Sequence, residues 1–236
     1  VFLPPIIVVT CFLAWALIHV SIKSCSKCRK RRMHKRDAKD FAVLSSVLMV
    51  FLSYPLLVRN IFSMLNCPRI TQDRSFLVAD LQVQCFVGRH LHYLFVLTIP
   101  QIVLYVVGLP FATFALIRRN HHRLENDMRF RMRFGLLYFG FRHDTAWWEC
   151  IIAFRKILVV LIGTFGTLFN SVNLQVCIAL LVIFFSMVVH LTCEPYDVNL
   201  PSGRLLHRVE LAALTMTFLT FWGGLIFYLG EDIVNS

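Results

Sequence analysis

Three charged residues interrupt the segment AWWECIIAFRKILVVLIGTF (residues 146–165), which is otherwise apolar enough to lie in a membrane. They are Glu149, Arg155 and Lys156. A charged side chain at the centre of a bilayer costs about 2.5–3.5 kcal/mol on insertion scales, so it usually faces other helices or a water-filled cavity. Such residues form ion pairs between helices, or they take part in the transport or gating of ions.

Helix geometry separates these charges. Glu149 and Lys156 are seven residues apart, hence on one stripe of a helix but about 10 Å apart along its axis. Arg155 points about 100° away from Lys156, so the two cations need different partners. We expect Arg155 to pair with Glu210, which lies near Arg208 at the start of a later apolar segment. An interhelical ion pair, snorkelling of Lys156 toward the headgroups and a transport or gating role all remain open.

Further polar residues lie within apolar segments and have structural as well as functional interpretations. Arg59 lies near the outer end of its segment and can reach the membrane interface. Gln101 follows Pro100, and its side chain can hydrogen-bond a backbone carbonyl that a proline frees. His190 lies near the inner end of its segment.

The eight cysteines suggest one disulfide and no metal site. Cys67 and Cys85 fall in a predicted outer loop, where an oxidising compartment favours a bridge over two free thiols. Cys25 and Cys28 form a C-x-x-C beside basic residues, but a zinc site would need two more ligands and only His34 is near. Palmitoylation of this pair and unmodified thiols are the two alternatives.

The composition indicates a membrane protein. The hydrophobic fraction is 58% and the mean hydropathy is +0.68, whereas soluble domains are about 45–50% apolar. The net charge of +11 is concentrated in two loops beside apolar segments, which indicates contact with the anionic inner leaflet and not with nucleic acid. Nucleotide-binding, metalloprotease and hydrolase motifs are absent from the sequence, so we expect neither an enzyme nor a cofactor.

An all-α, polytopic membrane helix bundle follows from the length of the apolar segments, since a crossing needs about 20 residues. Residues 1–236 are expected to form a single transmembrane domain. Six spans are predicted: Val1–Ile22, Phe41–Asn66, Leu91–Ile117, Trp148–Phe169, Val172–Leu191 and Val209–Leu229.

Loop charge predicts the orientation of these spans. Residues 23–39 carry nine Lys and Arg and residues 118–147 carry seven, whereas residues 66–89 carry three. Positively charged loops face the cytoplasm, so we expect the N-terminus to be extracellular and the C-terminus to lie outside as well. A chain that ends outside directly after a helix predicts a seventh span beyond Ser236.

Several segments, in this order, resemble a known family from about Phe41 onward. They are SYPLLVRNIFSMLNC, LVADLQVQCFVGRH, PQIVLYVVGLP, FGLLYFGFR followed by WWECIIAFRK, and EPYDVNLPSGRLLHRVELAALTMTF. The order is similar to that in the C-terminal membrane domain of large cysteine-rich surface proteins of protists and algae, whose ectodomains carry EGF-like or ephrin-receptor-like repeats. That domain is described as distantly similar to transient-receptor-potential (TRP) and polycystin channels. The resemblance implies a large extracellular region upstream and a location in the plasma or ciliary membrane.

Two functions follow as hypotheses. The first is a TRP-like or receptor-like membrane domain that couples an extracellular module to the membrane and conducts cations. The second is a non-conducting anchor or assembly subunit of a larger extracellular or multi-subunit complex, with membrane lipids and protein subunits as partners. Conduction predicts a polar column that joins Glu149, Arg155, Lys156, Gln101 and Glu210, whereas a dry, ion-paired core at these residues favours the anchor.

Overall fold

The computed structural model describes residues 3–24, 35–71, 74–122, 124, 127–166 and 172–234. Most of them are helical, which confirms the predicted all-α fold class. The main helices are α1 (Leu3–Ser24), α2 (Lys35–Ser63), α3 (Gly88–Arg119), α4 (Met128–Phe134), α5 (Glu149–Thr164), α6 (Val172–Cys193) and α7 (Pro201–Val234).

Helix α2 lies at the centre of the described bundle and contacts α1, α3, α4 and α5. On α1, the Trp15 ring stacks on Phe41 of α2 at a centroid distance of 5.2 Å, and its indole N–H donates to Ser45 Oγ over 3.0 Å. The main apolar core joins Val58 and other residues of α2 to Val106 of α3 and Ala153 of α5. Helix α6 then connects α5 to α7.

Among the residues that the structure describes, four helical segments are long and apolar enough to cross a membrane: Lys39–Ser63, Gly88–Arg119, Val172–Cys193 and Pro201–Tyr228. One predicted span falls short. Helix α5 has 16 residues and ends at Thr164, so it rises about 24 Å, less than the roughly 30 Å of a hydrocarbon core. Helix α1 has 22 residues, and the apolar stretch described within it is Pro4–Ile18. Six spans and a seventh are therefore not supported by the helices of the described residues.

Helix α3 contains two π-helical segments, Leu94–Thr98 and Ile102–Val107, and each precedes a proline. A proline has no backbone N–H, so the carbonyl four residues before it loses its helical donor. For Pro110 that carbonyl belongs to Val106, and it accepts a 2.8 Å hydrogen bond from Tyr54 Oη of α2. Tyr54 therefore supplies the donor that Pro110 lacks, and the role predicted for Gln101 beside Pro100 stays a prediction.

The connection between α2 and α3 contains a small antiparallel sheet that the sequence analysis did not predict. The sheet has three strands, β1 (Arg69–Thr71), β2 (Arg74–Leu77) and β3 (Asp80–Gln84). The central strand β2 pairs with both β1 and β3. The predicted disulfide is present, because Cys67 and Cys85 are joined with their Cα atoms 6.2 Å apart. Beside this hairpin, Asn66 Nδ2 donates to the carbonyl of Thr164, at the last residue of α5, over 2.7 Å.

Helix α4 begins where the Asp127 carboxylate accepts hydrogen bonds from the backbone N–H groups of Arg129 and Phe130, which is an ordinary N-cap. The helix packs against α2. The Arg133 Nη2 lies 2.5 Å from Asp40 Oδ1, and the Asp40 side chain is only 5% exposed. Phe130 and Phe134 also pack in an apolar cluster with Phe51 of α2, so both an ion pair and apolar contacts hold α4 against the bundle.

Candidate functional site

Charged and polar side chains from three helices and one loop come together beside α5. We call this group the ionisable cluster, and it consists of Glu149, Arg155, Lys156, His190, Tyr196, His207 and Glu210.

An ion pair between α5 and α7 lies at its centre. Arg155 Nη2 donates to Glu210 Oε1, and the two side chains are 18% and 20% exposed. A charge-assisted hydrogen bond is about twice as strong as a neutral one. Removing one partner would leave a largely buried charge without compensation. The pair therefore attaches α7 directly to α5, although α7 packs mainly on α6.

Lys156 meets a different helix. Its ammonium nitrogen lies 4.1 Å from the centroid of the Phe51 ring on α2, and a cation–π contact of this kind contributes about 0.5–2 kcal/mol. The two adjacent cations of α5 thus contact helices on different sides, as the 100° rotation between neighbouring helical residues requires. The contact with Phe51 places the Lys156 ammonium against a ring of α2. A snorkelling lysine would instead extend its ammonium toward the lipid headgroups.

Glu149 is buried, with 9% of its surface exposed. Electrostatic interactions link it with Lys156, Glu210 and Arg155. Within the described residues, however, its carboxylate has neither an ion-pair partner nor a hydrogen-bond donor. Glu149 and Lys156 lie too far apart along the helix for a direct contact, in line with their seven-residue separation.

Two histidines extend the cluster from α6 to α7. His190 is 1% exposed, and its ring stacks on His207 at a centroid distance of 4.7 Å and an interplanar angle of 15°. Both ring nitrogens of His190 and Nδ1 of His207 are buried and have no hydrogen-bond partner in the described structure. Because a neutral imidazole carries one donor and one acceptor, the pair has unused hydrogen-bonding capacity beside the ion pair.

Tyr196 covers the histidine pair. Its ring centroid lies 5.8 Å from that of His190 and 6.3 Å from that of His207. Burial, and then the carboxylates of Glu210 and Glu149, raise the pKa of Tyr196 well above its usual range. The phenol is therefore neutral at physiological pH and closes one side of the cluster.

Two loops hold Tyr196 in this position. Arg142 N and Thr145 Oγ1 both donate to the Pro195 carbonyl, over 2.8 and 2.7 Å. The ring of Tyr196 also stacks on Phe141, with centroids 4.8 Å apart. Gly203 permits the tight turn that follows, since a Cβ at that position would collide with the Asp197 backbone carbonyl. The EPYD and PSG elements thus serve to position the cluster.

His207 and Tyr196 belong to the site although neither was predicted from the sequence. One signal was available for His207, because it precedes Glu210 by three residues and therefore shares its helix face. No comparable spacing identifies Tyr196, since its place depends on the pairing of two loops.

The other predicted polar residues lie elsewhere. Arg59 and Arg208 are exposed. Gln101 is half-buried and lines a separate cavity of about 970 Å³ between α2, α3 and the sheet, together with Asp80 and Arg89. Cys25 and Cys28 lie outside the described residues. The structure therefore unites Glu149, Arg155, Lys156, His190 and Glu210 but does not bring Gln101, Arg59 or Arg208 to them.

Beside the disulfide, His90 is buried. Its Nδ1 accepts a hydrogen bond from Phe86 N over 3.1 Å, so its Nε2 carries the proton and faces the Met64 carbonyl at 3.3 Å. The sulfur atoms of Cys67 and Cys85 lie near this ring, but the disulfide uses both of them. His90 therefore supports the hairpin through hydrogen bonds.

Comparison with known proteins adds one relationship. The chain is similar to cysteine repeat modular protein A of Toxoplasma gondii, with 26% identity over 202 residues, which cover 80% of this chain. It spans 6% of the length of that relative. No family model and no solved structure matches the chain. This similarity supports the predicted relationship to cysteine-rich proteins, and the likeness to TRP and polycystin channels stays a prediction.

Proposed function

We propose that this chain is the membrane domain of a larger cysteine-repeat surface protein, which it anchors in the bilayer without conducting ions. The observation that carries the proposal is the Arg155–Glu210 ion pair, whose side chains are about four-fifths buried. It joins two helices, as a structural contact does. Lys156 likewise contacts Phe51 of α2.

The position of Gln101 also favours an anchor. A conducting column would join Gln101 to the charges of α5, but in the described structure Gln101 lines a different cavity. The relative supports the attachment to a larger protein, because the similar region is a small part of its length. Cation conduction stays a prediction, and the cavity lined by Asp80, Arg89 and Gln101 is the feature that favours it.

The proposed topology keeps six crossings, of which α5, with 16 residues, is the short one. The N-terminus and the disulfide hairpin face outside, and the basic residues 23–39 and 118–147 face the cytoplasm of a plasma or ciliary membrane. In this arrangement α4 lies at the inner leaflet. Its residues Met128, Arg129, Arg131 and Met132 are exposed, and this mixture of apolar and cationic side chains suits an anionic lipid surface.

Epitope-tag accessibility tests the topology. One tag is placed before Val1 and a matched tag is inserted between residues 29 and 30, and each is detected in intact and in permeabilised cells. With six crossings, the first tag is accessible in intact cells and the second only after permeabilisation. If both tags lie on the same side, α1 does not cross and the proposed topology is wrong. Extraction of the chain from membranes by alkaline carbonate would contradict the anchoring role itself.

A further inference from the structure

A second cavity, of about 350 Å³, lies between α1, α2, α3 and α5. Its wall is mainly apolar and includes Val50 and Phe51 of α2 and Leu109 and Leu116 of α3. Such a volume is at the lower end of the roughly 300–1,000 Å³ that ligand pockets span. The cavity is therefore large enough for one compact apolar molecule.

Glu149 supplies the acidic side chain on this wall. Four other polar side chains there already donate to backbone carbonyls: Ser46 to Ala42, Tyr54 to Val106, Thr113 to Leu109 and Cys150 to Pro110. Glu149 is a buried residue, and its carboxylate lacks a hydrogen-bond donor among the described residues. An apolar body with a single donor group would satisfy both the wall and this carboxylate.

The charged side chains near the cavity favour a ligand whose hydrogen-bond donor is neutral. An anionic headgroup would be repelled by Glu149. A cationic head would approach Arg155 and Lys156, which already act on Glu149 electrostatically. The wall is mainly apolar, so a ligand with an apolar body matches more of it than water does. A hydroxyl is the donor that fits, and α2 and α3, which are apolar enough to cross a membrane, place the cavity where lipids are available.

We propose that this cavity binds the hydroxyl end of a hydroxyl-headed lipid, of the sterol or the acylglycerol class, whose hydroxyl donates to Glu149 and whose adjoining apolar part lies against α2 and α3. The lipid site does not depend on the anchoring role, because it requires only that these helices pack together. Lipid binding and ion conduction are measured in separate assays, so a negative result in one assay leaves the other proposal standing.

Photolabelling of the purified chain in phosphatidylcholine vesicles tests the site. A diazirine sterol and a diazirine diacylglycerol are used in separate samples, with the unlabelled lipid as competitor. We expect saturable labelling by one probe, with adducts on peptides that contain Phe51, Leu116 or Cys150. Labelling by both probes that does not saturate, or adducts confined to exposed residues such as Phe111 and Phe185, would overturn the proposal.

Two variants on the same helix provide a matched comparison. Ala112 lines the cavity, whereas Ala115, one turn away and half-buried, does not. Ala112→Phe should fill the space and reduce saturable labelling about tenfold, since a pocket binds through complementary shape; Ala115→Phe should leave it unchanged. Equal labelling of both variants would refute the site. If Ala112→Phe does not fold, the positions of the adducts in the wild-type chain test the site instead.

Glu149→Leu tests the polar contact, because leucine is of similar size and has no acceptor oxygen. The hydroxyl of the lipid would then lose its acceptor, so binding should weaken about fivefold while the adducts stay on the same peptides. Unchanged affinity in this variant would show that the hydroxyl does not meet Glu149 and would overturn the assigned binding mode.

Discussion

Arg155→Leu is the perturbation that tests the ion pair between α5 and α7. Breaking a fully buried pair costs about 3–5 kcal/mol, because the remaining charge stays buried. Both side chains keep about a fifth of their surface exposed, so we expect a loss of about 2–3 kcal/mol in the free energy of unfolding. At about 2–4 °C per kcal/mol for a chain of this size, the Tm should fall by about 4–12 °C.

Thermal unfolding of the purified chain in detergent, followed by circular dichroism, measures this loss. The double variant Arg155→Leu/Glu210→Leu removes both charges, and we expect it to recover most of the lost stability, since an apolar pair often replaces a buried ion pair without cost. Arg208→Leu is the matched control, because Arg208 is exposed two residues from Glu210; its effect should stay within about 0.5 kcal/mol.

Two results would refute the reasoning. If Arg155→Leu and Arg208→Leu lower the Tm equally, Arg155 is in practice a solvated surface charge. If the effects of Arg155→Leu and Glu210→Leu simply add in the double variant, the two residues do not interact, and a double-mutant cycle will show no coupling energy.

Four further predictions use the same unfolding assay. Tyr54→Phe leaves the Val106 carbonyl without its donor and should cost about 1–3 kcal/mol, whereas Tyr93→Phe, at an exposed position, should cost nothing measurable; equal losses would exclude this role of Tyr54. Asp40→Asn removes the charged acceptor of Arg133 and should destabilise by about 1–2 kcal/mol, unlike Asp144→Asn at an exposed site; a neutral Asp40→Asn would contradict the docking of α4 through this pair. Cys67→Ser opens a disulfide between residues 18 apart and should cost about 3 kcal/mol, while Cys177→Ser, a free exposed cysteine, should be silent; a silent Cys67→Ser would show that the disulfide does not stabilise the fold. The pKa of Tyr196 is raised in the folded chain, so its contribution to stability is complete below about pH 10 and is lost as the pH rises from there toward the folded-state pKa; Tyr196→Phe should reduce the alkaline loss of stability and the control Tyr228→Phe should not, and identical alkaline profiles would refute the burial of the phenol.

Helix periodicity carried much of the sequence-based account of the site. The length of the apolar segments required a helix that includes Arg155 and Lys156, and the 3.6-residue period separates their directions. A cation directed away from Lys156 needs an acid on another helix, and Glu210 was the acid at a matching depth. These inferences depend on local geometry, which the residue order determines.

Contacts between residues far apart in the chain could not be predicted from the sequence. Tyr196 reaches the cluster through pairing of its loop with Arg142 and Thr145, and no periodic pattern encodes that contact. The Tyr54 bond to Val106 likewise joins residues 52 positions apart. The helix in the predicted span Trp148–Phe169 ends earlier than expected, at Thr164, although the apolar composition continues beyond that residue. An apolar composition shows which segments can lie in a membrane, but it does not show where a helix ends. At the end of α5, Asn66 donates a hydrogen bond to the Thr164 carbonyl, and this contact was not visible in the sequence.

Cation flux through the purified chain in proteoliposomes distinguishes a non-conducting anchor from a channel. Potassium and sodium flux are measured for the wild type, for Arg155→Leu and for protein-free liposomes, with gramicidin as the positive control. The anchor account predicts that both proteins match the protein-free liposomes, because the charges of α5 hold helices together and line no path. A cation flux from the wild type that changes in Arg155→Leu would contradict it and would identify these charges as part of a conducting pathway.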